Sequence, residues 1–209
     1  ISGSTIVFAA ALTTDDSIDF ITVLGDTLDL GTPSDGTVVP ASMGTTAVTA
    51  LTAGTGITNG TGTVYRSDVQ KLGNIYHTRI LIDLTGLASS GSGDIIGKAG
   101  TANSHIGQIT AAINGTVLSG KITCMEAPAG GDPDINLWYA DEATGAEDAA
   151  ITSLTNQVQM CDSGDFAIGT VVGIPTPPAA DKYLYMVTGA ATNADYTAGK
   201  LLIELFGYV

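Results

Sequence analysis

Positive charge is scarce in this sequence. Its 209 residues hold seven Lys and Arg against 21 Asp and Glu, a net charge of −14, and no cation precedes Arg66. Proteins that grip nucleic acid lay clustered cations against phosphate and release counterions. Without such clusters no nucleic-acid partner is expected, and the same deficit argues against anionic membrane surfaces. The acidity suits solubility, or a basic protein surface.

Cysteine and histidine are rarer still, with two of each. Cys124 and Cys161 do not make a disulfide framework. Both sit in alternating apolar segments and are expected to be two buried free thiols, a single disulfide being the alternative. Neither has a nearby His, which excludes a zinc pattern. His77 and His105 are no better placed for catalysis. His77 lies on the polar face of a strand, and the Ser104-His105 pair is not framed by a nucleophile elbow. Ser90, within Ser-Gly-Ser-Gly, reads as flexible loop. No enzyme and no cofactor are expected.

Long apolar runs are missing too. None reaches the roughly 18 residues of a membrane helix. Residues 6–12 (IVFAAAL) are apolar but short, and no basic residue precedes them, so they are not read as a signal peptide. Charged residues are 13% of the chain, about half the usual share. Exposed helix faces normally carry Glu, Lys and Arg, so at most one or two short helices are expected, one of them within residues 140–155.

What is abundant is Gly, Thr and Val, with 44% hydrophobic residues. That describes short strands and tight turns around a real core. Period-2 alternation recurs along the chain. In residues 76–84, Tyr76, Thr78, Ile80, Ile82 and Leu84 form a core-like face, and His77, Arg79, Leu81 and Asp83 the opposite one. Residues 64–72 form a second strand, joined to the first by Gly73-Asn74, a tight-turn pair. Residues 117–125 put Val117, Ser119, Lys121 and Thr123 opposite Leu118, Ile122 and Cys124. Asn114-Gly115 before them reads as another hairpin turn. Asn59-Gly60-Thr61 and Asn114-Gly115-Thr116 match the glycosylation sequon but read as hairpin turns.

Further strands are expected at 135–139 and at 166–172, with Phe166, Ile168, Thr170 and Val172 on one side. Residues 183–188 and 200–208 read as a last pair of strands, with Leu201, Ile203 and Leu205 opposite Lys200, Glu204 and Tyr208. The expected fold is therefore all-β, a jelly-roll-like β-sandwich forming a single domain over residues 1–209. Residues 1–52, rich in Asp and without cations, are read as part of the sandwich, an N-terminal arm or edge-strand region being the alternative.

Acidic turns invite a calcium reading. Asp132-x-Asp134-x-Asn136 opens like an EF-hand loop, but Leu137 and Ala143 stand where that loop needs Gly and Glu. Asp132, Asp134, Asp141 and Glu142 remain as candidate calcium ligands of another kind of loop site, and Asp-Pro-Asp is also ordinary turn chemistry. Glycan binding would call on Trp138 and Tyr139, which point to opposite faces of a strand, one of them buried.

Three stretches carry a family resemblance: 78–87 (TRILIDLTGL) running into 94–97 (DIIG), 124–135 (CMEAPAGGDPDI) and 196–208 (YTAGKLLIELFGY). They resemble a family of small virion proteins of tailed bacteriophages, especially marine ones, over roughly residues 55–209. The resemblance implies a non-enzymatic part of the virion, foremost a capsid decoration (cement) protein stabilising the head by contacts with the major capsid protein. Such modules are often trimers, so a homo-oligomer is implied. A tail, fibre or baseplate component is the alternative within that class; a calcium- or glycan-binding β-sandwich module is the alternative of another class.

Overall fold

A computed structural model describes residues 13–15 and 48–209. The chain divides into two units, Ile1–Val38 and Val39–Val209, and the architecture below is that of the second. The expectations for residues 1–52, and with them the single-domain reading, fall almost wholly outside the described residues.

The hairpin expected around Gly73-Asn74 is the nucleus of the larger sheet. Strand β2 (Tyr65–Leu72) pairs antiparallel with β3 (Ile75–Asp83), with Leu72 opposite Ile75. Gly73 takes φ +60°, the left-handed region a tight turn needs. The alternation holds: Tyr76, Thr78, Ile80, Ile82 and Leu84 are all buried. Strand β12 (Ala198–Tyr208) lies against the other edge of β3. Its Leu201, Ile203 and Leu205 are buried, while Lys200, Leu202, Glu204 and Phe206 are half-buried and Tyr208 is exposed.

The remaining strands complete an all-β, sandwich-like fold. Strand β6 (Thr116–Ala129) pairs with β12, and β9 (Val171–Gly173) with β6; β1 (Val48–Thr49) closes the far edge on β2. The six-stranded order is β1-β2-β3-β12-β6-β9. A second sheet, β5-β10-β7-β8, is built from Gly107–Ile109, Lys182–Thr188, Ile135–Ala140 and Val158–Cys161. Two short strands, β4 (Ala88–Ser89) and β11 (Ala194–Asp195), pair separately. Among the described residues the sheets hold six, four and two strands, an arrangement that supports the all-β class but does not by itself establish a jelly-roll topology.

The main core lies between the larger sheets, where Ile80, Ile82, Leu201, Ile203 and Leu205 meet Leu137, Leu184 and Met186. The second sheet is covered on its other face as well. There Tyr185 and Val187 of β10 and Ala140 of β7 pack with Ile95 and Ile151. This is why residues 183–188 read as a nearly continuous apolar run: both faces of β10 are buried.

Several local expectations give way to tertiary structure. The strands at 183–188 and 200–208 do not pair with each other; they belong to different sheets. Leu118, expected on the Ile122 face, is 65% exposed while Val117 is buried. The register between β12 and β6 shifts between Phe206/Ser119 and Gly207/Val117. Leu118 is the extra residue of that bulge, and a bulge inverts the inside-outside order beyond it.

Neither Asn-Gly pair is a hairpin turn. Asn59 caps the one-turn helix α1 (Thr55–Thr58), and Gly115, at φ +66°, caps α2 (Ala111–Asn114). Asn114 itself is fully buried. Its Oδ1 accepts from the Thr110 N–H (2.9 Å) and its Nδ2 donates to Thr78 Oγ1 (2.8 Å).

The alternation expected at 166–172 breaks after Phe166. A turn between Ala167 and Thr170 (Thr170 N–H to the Ala167 carbonyl, 3.0 Å) leaves Ile168 74% exposed. Residues 140–155 hold only a 3₁₀ turn, Ile151–Ser153. Buried Tyr185 ties that segment down: its hydroxyl donates to the Glu142 carbonyl (2.5 Å) and accepts from the Gly145 N–H (3.2 Å). Ser90, expected in a flexible loop, is buried beside Thr188.

Candidate functional site: the outer face of the six-stranded sheet

The residues singled out for chemistry do not converge. Strand β7 separates the four calcium candidates, with Asp132 and Asp134 before its start and Asp141 and Glu142 just past its end, ~20 Å apart at 3.3 Å per residue. Asp132 is committed to backbone. Its Oδ1 accepts from the Asp134 N–H and its Oδ2 from the Thr192 N–H, both at 3.0 Å. Asp141 pairs with Lys182 and Asn156, and Glu142 accepts from the Thr155 N–H. Among the described residues no three His, Cys, Asp or Glu side chains are placed to hold a metal ion.

His105 packs edge-on against Tyr183 and Tyr185, ring centroids 5.1 and 6.4 Å away. Burial lowers its pKa, and its Nδ1 is buried without a hydrogen-bond partner. It lines a cavity of about 210 Å³ with Leu51, Gln108, Thr110, Ile113 and Tyr183. Ser104 Oγ turns away, to the Thr101 carbonyl. His77 is on the larger sheet. Trp138 and Tyr139 are both half-buried, packed against the clusters on opposite faces of the second sheet. Cys124 and Cys161 are buried and unbridged, and burial raises both thiol pKa values.

Asp134 carries a cost. Burial raises its pKa, and Asp162, Asp132 and Asp165 raise it further; Oδ1 has no hydrogen-bond partner. A carboxyl raised by folding favours the native state below its ordinary pKa of 3.8 and opposes it once pH rises through the folded value. Asp134→Asn, which removes the poorly solvated charge and its repulsion by three carboxylates, is therefore expected to stabilise the protein at pH 7. The gain should shrink towards zero near pH 3, read from thermal melts across that range.

The polar groups that do assemble lie on the outward face of the six-stranded sheet. Its rows, read across β2, β3, β12 and β6, follow from the register. The central row is Asp68, Arg79, Glu204, Lys121. On one side of it lie Arg66, Leu81, Leu202 and Thr123, then Asp83, Lys200 and Glu126. On the other side lie Gln70, His77, Phe206 and Ser119, then Leu72, Ile75, Tyr208 and Thr116.

Charge alternates along the rows. Arg79 Nε donates to Asp68 Oδ1 (3.0 Å) and its Nη2 meets Oδ2. Lys121 Nζ lies 3.0 Å from Glu204 Oε2, and His77 Nε2 3.1 Å from Glu204 Oε1. Lys200 bridges Asp83 (3.5 Å) and Glu126. Burial opposes ionisation of Glu204, but Lys121 and His77 outweigh it and hold its pKa below the ordinary value. Burial likewise opposes ionisation of Asp83, outweighed by the Thr85 hydroxyl and N–H and by Lys200.

The balance is unusual for this chain. Four of the seven cations (Arg66, Arg79, Lys121 and Lys200) and four carboxylates (Asp68, Asp83, Glu126 and Glu204) lie on this face, so the net charge of −14 resides in the rest of the sequence. Between the charged rows run apolar side chains. Leu81 and Leu202 are half-buried, Phe206 stacks on His77 at 4.7 Å, and Leu72, Ile75 and Tyr208 are 71%, 52% and 52% exposed. The alternation in residues 76–84 and 200–208 marks half of this surface in the sequence. Asp68 joins it through the β2–β3 hairpin, and Lys121 and Glu126 only through pairing between distant segments. No family model, curated protein or solved structure matches the chain.

Proposed function

We propose that this chain is a non-enzymatic structural protein of a phage virion, a capsid decoration module, whose outer sheet face meets another subunit of the particle. The observation that carries the reading is that face. It is charge-balanced and apolar-striped on an otherwise strongly acidic chain. Exposed apolar rows beside fixed charge pairs suit a protein contact, which needs apolar area together with charges that set register. The three stretches that resemble phage virion proteins fall on β3, on β6 with the turn into β7, and on β12. Strands β3, β12 and β6 are neighbours in the sheet, and their outward side chains make most of the rows.

Immunogold electron microscopy of purified particles with an antibody against this chain tests the proposal. Regularly spaced label over the head is the expected result. Label on the tail or baseplate would move the chain to the alternative role within the virion, and particles without label would overturn the virion reading.

A further inference from the structure

The charges on the outer face form a pattern that is its own complement. Along the central row, the order across β2, β3, β12 and β6 is Asp68 (−), Arg79 (+), Glu204 (−), Lys121 (+). Reversing that order turns every sign into its opposite. The outer row obeys the same rule at its centre, where Asp83 of β3 is paired with Lys200 of β12. We infer that the partner of this face is a second copy of the same chain, docked face to face about a two-fold axis parallel to the strands and midway between β3 and β12. The inference rests on the outer face being a contact surface, as proposed above, and names what contacts it.

The two-fold axis places β12 of one copy over β3 of the other, and β6 over β2. Asp68 then faces the partner's Lys121, Arg79 faces the partner's Glu204, and Asp83 faces the partner's Lys200. Each of these contacts occurs twice, as an isologous interface requires. The apolar rows match under the same operation. Leu81 lies over the partner's Leu202, His77 over the partner's Phe206, and Ile75 over the partner's Tyr208. Rotation about an axis along the strands keeps the two sheets within the aligned class of sheet packing. The small angle between aligned sheets disturbs the central row least, and that row carries the most charge.

Other placements lose the match. Sliding the second copy by one strand sets Arg79 on the partner's Arg79 in one direction and Glu204 on the partner's Glu204 in the other. Like charges so placed cost enough to exclude a register. Four strands by five rows give a patch of roughly 650 Å² in projection at ~4.8 Å between strands and ~6.8 Å between rows. That approaches the ~800 Å² per partner of a standard interface.

Charge-reversal variants at the two ends of the central row test the arrangement, read by sedimentation velocity over a concentration series. Asp68 and Lys121 are the outermost of the four, with side chains 28% and 43% exposed. Asp68→Lys sets an ammonium against the partner's Lys121, and Lys121→Glu sets a carboxylate against the partner's Asp68. Each variant alone is expected to dissociate at least roughly tenfold more readily than the unaltered dimer. Mixed together, the two variants restore both contacts, and their heterodimer should return to within about threefold of the unaltered dissociation constant. Restored pairing on mixing cannot come from repair within one chain.

Should either variant fail to fold, Ile75→Cys mixed with Tyr208→Cys decides the matter. Both positions are exposed, and the native thiols of Cys124 and Cys161 are buried. A short bis-maleimide should join these two chains and leave an Ala102→Cys control unlinked. A monomer at all concentrations, a trimer, no recovery on mixing, or no selective crosslink would overturn the two-fold inference. The immunogold result would stand or fall separately.

Discussion

Gly86→Ala is expected to lower stability by about 3 kcal/mol or more, a large part of the 5–15 kcal/mol that holds a typical domain together. Gly86 follows β3 at φ +81°, and its N–H donates to the Tyr196 carbonyl (2.9 Å). An added Cβ would sit 2.0 Å from the Thr61 carbonyl oxygen and 2.4 Å from the Thr61 nitrogen. These are backbone atoms, so no rotamer change relieves the clash. Two segments must part, and with them the turn that leads β3 into β4.

Gly73→Ala separates the two components of that cost. Gly73 also has positive φ, +60°, but an added Cβ there meets nothing within 4 Å. It should incur only the backbone term, about 1 kcal/mol. Thermal melting followed by circular dichroism distinguishes the cases at ~2–4 °C per kcal/mol for a chain of this size. Equal losses at the two glycines would mean that the Thr61 contact yields freely.

Asp132→Ala is expected to cost about 3–4 kcal/mol through a different mechanism, the orphaning of buried donors. Asp132 is fully buried. Its carboxylate accepts from two backbone N–H groups, Asp134 in the same turn and Thr192 in the segment after β10. Its own N–H donates to Ser89 Oγ (3.0 Å), and its carbonyl accepts from the Tyr196 hydroxyl (2.7 Å). Ser89 Oγ in turn donates to the Thr192 carbonyl (2.6 Å).

One residue thus joins the turn between β6 and β7 to β4 and to the segments around β11. Alanine keeps the backbone bonds and removes the two that the carboxylate makes. Asn keeps one acceptor oxygen, so Asp132→Asn should lose roughly half as much. Urea denaturation measures both. A loss below ~1 kcal/mol for the alanine variant would show that the two amides find other partners.

The two aspartates of the Asp-Pro-Asp turn therefore pull in opposite directions. Asp132 has hydrogen-bond donors on both oxygens and is structural. Asp134, two residues on, has a buried oxygen with none, and three neighbouring carboxylates raise its pKa. Their spacing in the sequence points to a shared ligand. Only the packing of Ser89, Thr192 and Tyr196 around the first distinguishes their roles.

Local sequence was enough for the all-β class, the β2–β3 hairpin, and which side chains of β3 and β12 face inward. Period-2 alternation places every second side chain on one face, and Gly73-Asn74 supplies the turn that sets the register. The rest came from long-range pairing. Strand β12 slots between β3 and β6, residues 183–188 join the other sheet, Leu118 bulges outward, and both Asn-Gly pairs become helix caps. Each depends on which distant segment lies alongside, and alternation within one strand carries no record of its neighbour. The outer face belongs to that second class. Asp68 and Arg79 are already paired by the local hairpin, but they become a single row of alternating charge with Glu204 and Lys121 only once β12 and β6, from distant parts of the chain, share that register.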